Sequence, residues 1–67
     1  MKININNEEI IIKAGSSVDQ MVEQVDSIPK SGIAVAINQE VIPQSLWGSK
    51  VINTNDNVLI IQATQGG

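Results

Sequence analysis

At 67 residues the chain makes one small domain. With neither Cys nor His it has no disulfide framework, no thiol nucleophile, no imidazole base and no zinc site of the usual ligand set. A net charge of −3, with four scattered lysines (Lys2, Lys13, Lys30, Lys50), argues against the clustered basic surface of a nucleic-acid binder.

"KININ" alternates, with Ile3 and Ile5 on one side and Lys2, Asn4 and Asn6 on the other, the period of a half-buried strand. "IIIK" follows as a second strand. Pairing Ile5 with Ile10 and Ile3 with Ile12 predicts a hairpin with a four-residue loop, Asn6 to Glu9, and sends Ile11 to the opposite face. "AGSS" breaks the strand. Ser17 and Gln20 have the spacing of a capping box. Val18, Met21, Val22 and Val25 then form the apolar stripe of a short amphipathic helix, with Asp19 in its first turn. Pro29 disfavours helix at Ile28, so the helix is expected to end near Ser27.

"GIAVAINQ" reads as a third strand, with Ile33, Val35 and Ile37 on one face and Ala34, Ala36 and Asn38 on the other. "NQ" is a turn and "EVI" a short fourth strand that Pro43 ends. "QSLWG" suits a single helical turn or loop, and "NTNDN" is a turn cluster. In the last strand, "VLIIQA", Val58 and Ile60 lie opposite Leu59 and Ile61, and both faces are apolar. Such a strand is central, or its outer face binds something. One helix cannot cover both faces of a sheet, so the expected class is α+β: a sheet on one helix, with the first and last strands at its centre.

The core of so short a chain must be efficient, because it buries only about 60% of its unfolded surface. Aliphatic packing has to supply the stability. Trp47, the lone aromatic residue, either closes one end of that core or anchors a partner. Glu8 and Glu9 are a carboxylate pair on a loop, read as a solvated turn because nothing near them in sequence completes a site. Leu59, Ile61 and Ile11 fall on the sheet face away from the helix. Ala34 and Ala36 share that face and keep it flat, so Leu59, Ile61, Ala34 and Ala36 are the expected partner-docking surface. No apolar run reaches the roughly 20 residues of a membrane span. "MKININN" does not read as a signal peptide, so a cytoplasmic protein without nucleic-acid or membrane partners is expected.

The sequence closes on "QATQGG". Chain ends fray, and glycine adds freedom. A terminal carboxylate is nonetheless a chemical group, and it becomes an electrophile once joined to AMP. Gly66 and Gly67 allow close backbone approach in a narrow channel, and Gly67 leaves its carbonyl carbon unshielded.

A hairpin, one helix, further strands and a terminal Gly-Gly resemble the ubiquitin-like β-grasp proteins. Within them the chain is similar to the ThiS family, the bacterial sulfur carriers of thiamine biosynthesis. The resemblance covers essentially the whole chain. It rests on "AVAINQEVIP" (Ala34 to Pro43), on Trp47, on Asp56 and on "QATQGG". Asn55 stands where the family often has Gly, a position that Asn can fill in the left-handed conformation.

The resemblance implies a β-grasp domain over 1–63, a mixed sheet of four to five strands, and a flexible tail over 64–67. It also implies that Gly67 is adenylated by a ThiF-like enzyme using ATP, with no cofactor bound to the chain itself. Sulfur from a cysteine desulfurase relay would displace AMP, and the resulting thiocarboxylate would serve a ThiG-like thiazole synthase. Gly66 and Gln65 would give the tail its access. The chain would be a cosubstrate and not an enzyme, with no metal. A sulfur carrier without cysteine cannot hold a persulfide, which fits a thiocarboxylate. Three alternatives stay open: a carrier for molybdopterin synthesis or another sulfur-transfer pathway, a ubiquitin-like modifier, and an interaction domain with an inert end.

Overall fold

The computed structural model describes residues 1–62. Five strands and one α-helix follow in the order β1 (Lys2–Ile5), β2 (Glu8–Ile11), α1 (Val18–Gln24), β3 (Ile33–Ile37), β4 (Glu40–Ile42) and β5 (Asn57–Gln62). A 3-10 turn, Gln44–Leu46, lies between β4 and β5. The strands form one mixed sheet in the order β2-β1-β5-β3-β4. β5 is central, parallel to β1 and antiparallel to β3. This is the expected β-grasp layout, with the first and last strands side by side.

The two hairpins share one device. Asn6 (φ 51°) and Asn7 (φ 68°) make a two-residue turn, as do Asn38 (φ 51°) and Gln39 (φ 72°). Positive φ at both central residues is the requirement of a type I′ turn, which Asn tolerates better than most residues. The first turn corrects the predicted four-residue loop. Ile3 pairs with Ile10, and Ile5 with Glu8. Glu8 and Glu9 therefore belong to β2 and not to a loop. The shift is by two residues, so the side-chain faces are preserved. Ile3 and Ile5 stay inside and Ile11 outside, while Ile12 continues past the strand into the core. Met1 closes the hairpin: its ammonium donates to the Ile12 carbonyl (2.6 Å), and its carbonyl accepts from Ile12 N–H (2.9 Å).

The helix begins where Ser17 and Gln20 predict. Gln20 N–H donates to Ser17 Oγ (3.2 Å), and Ser17 N–H donates to Gln20 Oε1 (2.9 Å). Two more N–H groups of the first turn are met from across the fold, Val18 by the Lys50 carbonyl and Asp19 by the Trp47 carbonyl. The helix stops at Gln24, three residues before the expected end at Ser27. Val25 leaves it in an extended conformation, and both Val25 and Ile28 turn into the core. The Lys30 ammonium donates to the Val22 and Glu23 carbonyls, which the helix no longer satisfies.

Val18, Met21 and Val22 bury against the inner sheet face, where Ile3, Ile5, Val35, Ile37 and Val58 form one cluster with Trp47 and Ile52. Trp47 is a core residue. Its Nε1–H donates to the Ile42 carbonyl at 2.9 Å, so the indole is buried without an orphaned donor. Among the described residues no buried side-chain polar atom lacks a partner. No helix among them is long and apolar enough to cross a membrane.

Candidate functional site

Strand alternation divides β5 between two environments. Val58 is buried and Ile60 half-buried beneath the helix side. Leu59 and Ile61 point the other way and are 49% and 51% exposed. Among the described residues nothing covers that outer face, because the one α-helix is used on the inner side.

Register identifies what surrounds them. Leu59 lies opposite Ala36 on β3, and Ala36 lies opposite Val41 on β4. Ile61 lies opposite Ala34. The outer face of β5, β3 and β4 is thus apolar in two adjoining rows. Of the four predicted docking residues, Leu59, Ile61 and Ala34 are exposed. Ala36 is not: it is 7% exposed, a small floor residue flanked by Leu59 and Val41. Val41, missed at the sequence level, is 66% exposed and supplies the far edge. The signal was present, since Ile42 facing inward in "EVI" sends Val41 outward. A shallow recess of about 200 Å³ adjoins Leu59, lined also by Asn7, Ala36 and Gln39.

The other half of the same face is different. β1 presents Lys2 and Asn4, and β2 presents Glu9, whose carboxylate lies 3.4 Å from the Lys2 ammonium. Both side chains of this pair are well exposed, so its contribution to stability is small. Ile11 is 73% exposed beside Lys2, two strands away from β5. It shares the outer face with Leu59 as expected, but the polar residues of β1 separate the two. No group of three or more His, Cys, Asp or Glu able to hold a metal occurs among the described residues.

The asparagines at the hairpin turns also reach β5. Asn38 Oδ1 accepts from Asn57 N–H (3.0 Å), and Asn38 Nδ2 donates to Asp56 Oδ1 (3.1 Å). Asp56 Oδ2 in turn accepts from Asn53 N–H (2.8 Å). This fixes the turn that feeds β5, in which Asn55 takes φ 68°, the left-handed conformation expected of it. Asn6 holds the strand further along, at Ile60. Gln65, Gly66 and Gly67, the residues predicted to carry and deliver the acyl group, lie outside the described residues.

The model of the ThiS family matches residues 2–67. The sulfur carrier protein ThiS of Escherichia coli (strain K12) is 33% identical over 67 residues, which is the full length of both chains. Among solved structures, the crystal structure of the thiamine biosynthesis protein ThiS from Geobacter metallireducens superposes with a TM-score of 0.86. It is 16% identical, and the match covers all of both chains. The solution structure of a thiamine biosynthesis protein from the same organism matches at a TM-score of 0.73, over all of this chain and 88% of the other. At 16% identity these two likenesses speak for the fold alone.

Proposed function

The chain belongs to the ThiS family, and from that footing we propose that it carries sulfur for thiazole formation in thiamine biosynthesis. A family match that runs through Gly67 carries this reading. The Escherichia coli relative, named a sulfur carrier, aligns over its whole length.

The chemistry starts at the Gly67 carboxylate. A ThiF-like enzyme would use ATP to form the acyl-adenylate with release of pyrophosphate. A persulfide sulfur from a cysteine desulfurase relay would then attack the acyl carbon and displace AMP. A thiol would cleave the resulting acyl disulfide, itself ending as a disulfide and leaving the thiocarboxylate. That group would donate its sulfur to the substrate of a ThiG-like thiazole synthase. A carboxylate is a poor electrophile until one of its oxygens is joined to AMP and can leave with it, which is why activation must precede sulfur transfer. The chain has no Cys and no His, so it brings no thiol nucleophile or imidazole base of its own. It acts as a cosubstrate, and its partners do the catalysis. Gln65 and Gly66 would carry Gly67 into each partner's site, and a residue without Cβ allows the closest approach of enclosing walls.

Docking would use the outer face of β5, β3 and β4. Leu59, Ile61 and Val41 offer apolar area that the isolated domain leaves in water. Leu59 and Ile61 lie on the strand that precedes the tail. A partner seated there would hold the domain while its active site receives Gly67.

Intact-mass measurement tests the reading. The chain is co-expressed with a ThiF-like enzyme and a sulfur source, and the expected product is heavier by the replacement of one oxygen with sulfur. A chain that stays at its unmodified mass beside enzymes competent on another carrier overturns the proposal. Removing Gly67 is expected to abolish the shift with the circular dichroism spectrum unchanged.

A further inference from the structure

β5 is supported unequally on its two sides. β3 pairs with it as far as Gln62, whereas β1 leaves it after Val58. Past that point the backbone of Ile60 would face an open edge. The Asn6 side chain occupies this place. Its Oδ1 accepts from Ile60 N–H at 2.8 Å, and its Nδ2 donates to the Ile60 carbonyl at 3.4 Å. The Asn6 backbone N–H also donates to the Val58 carbonyl at 2.9 Å. One primary amide thus replaces the peptide group that a longer β1 would have provided. The turn alone does not require this. At φ 51° a glycine would serve the turn equally well, and only Asn also presents both a donor and an acceptor to the neighbouring strand.

We propose that Asn6 is a positioning residue for the chemistry at Gly67. It ties β5 at Ile60 to the first hairpin, so the strand that precedes the Gly67 tail is held from both sides. This rests on the carrier reading above. In adenylation a carboxylate oxygen of Gly67 attacks the α-phosphorus of ATP. The bond from that phosphorus to the pyrophosphate oxygen breaks, and pyrophosphate leaves with the electron pair. Asn6 touches none of these atoms. It acts on how often the carboxylate arrives in line, and small misplacements of a reacting group are costly to the rate. Leu59 and Ile61 keep their β3 partners without Asn6, so the docking face persists, while β5 past Val58 is then held from one side only. Its loss therefore lowers kcat and leaves KM nearly unchanged.

Two full-length variants separate this role from a merely structural one. Asn6→Gly keeps the left-handed turn and deletes the side-chain contacts. Asn6→Asp keeps the turn and an oxygen able to accept from Ile60 N–H. Pyrophosphate release by a ThiF-like enzyme with ATP is measured against carrier concentration, and amide hydrogen exchange is followed at Ile60 and at Val35. For Asn6→Gly, exchange at Ile60 is expected to rise about 10-fold with Val35 unchanged. Its kcat is expected to fall about 10-fold with KM within about twofold. Asn6→Asp is expected to recover part of both losses, because it keeps the acceptor for Ile60 N–H but sets its second oxygen against the Ile60 carbonyl.

An Asn6→Gly chain with wild-type kcat overturns the proposal. So does a loss expressed in KM, or exchange at Val35 that rises together with Ile60. A wild-type chain that releases no pyrophosphate with an enzyme active on another carrier overturns the carrier reading, and the delivery role with it. The exchange measurement then still decides whether Asn6 holds Ile60.

Discussion

Val58 and Ile60 point from β5 toward the helix, and Leu59 and Ile61 point from the same strand away from it. The four side chains have nearly the same chemistry. Inside, burial of a residue such as Val58 contributes about 1.5–3 kcal/mol relative to leaving it in water. Outside, much of the same gain is left unrealised by the isolated domain. Composition cannot separate the two pairs; only strand parity and the position of the single helix do. The inner face holds the fold, and the proposed docking role would give the outer face a separate task.

Substitutions on β5 test that division most severely. Val58→Asp places a carboxylate in the core with no partner, and the expected outcome is loss of the folded state, at least about 3 kcal/mol, seen as a missing cooperative transition in thermal circular dichroism. Leu59→Asp is one residue away and is expected to change stability by no more than about 0.5 kcal/mol in urea unfolding. Its effect belongs in the activation assay, where KM for the adenylating enzyme should rise at least about 10-fold through a weakened docking contact. If Leu59→Asp unfolds the chain as Val58→Asp does, the two faces do not differ as described.

Ser17→Ala tests the inner face more gently. It removes the acceptor at the start of the helix that covers the core, and should cost about 1 kcal/mol in urea unfolding with no change in KM. Ile11→Asp is the smallest expected effect. Ile11 is the most exposed large apolar side chain, yet it stands apart from the β5–β3–β4 rows. Stability within about 0.5 kcal/mol and an unchanged KM would sharpen the boundary of the docking face. A raised KM would extend that face across β1 to β2.

Much of this division was legible in the sequence. Alternation in "KININ", "IAVAI" and "VLII" placed the buried and exposed faces of three strands, and Ser17 with Gln20 located the helix start. What failed has physical causes. Ile–Ile pairing favours a longer loop in the first hairpin, but two consecutive asparagines readily take positive φ and close it in two residues. The helix end was set by Pro29, but the pull of Val25 and Ile28 into the core came first. Ala36 lost its surface to larger neighbours on adjacent strands, which only the register reveals. The grip of Asn6 on Ile60 joins residues 54 positions apart, and no local pattern encodes it.

The placement of β5 has a consequence for how the chain comes to be folded. Without β5 the sheet is two separate hairpins, β1–β2 and β3–β4, with no ladder between them. An isolated hairpin is marginal in water, and the contacts that unite these two, such as Asn4 with Asn57, span nearly the whole chain. Folding must therefore wait for the last strand, a topology that slows it and makes it all-or-none. A nascent chain that stops short of β5 would not become a smaller domain; it would be an unfolded polypeptide open to proteolysis. Arrival of β5 and completion of the sheet thus coincide, and a partner that recognises the sheet would meet only chains that carry that strand.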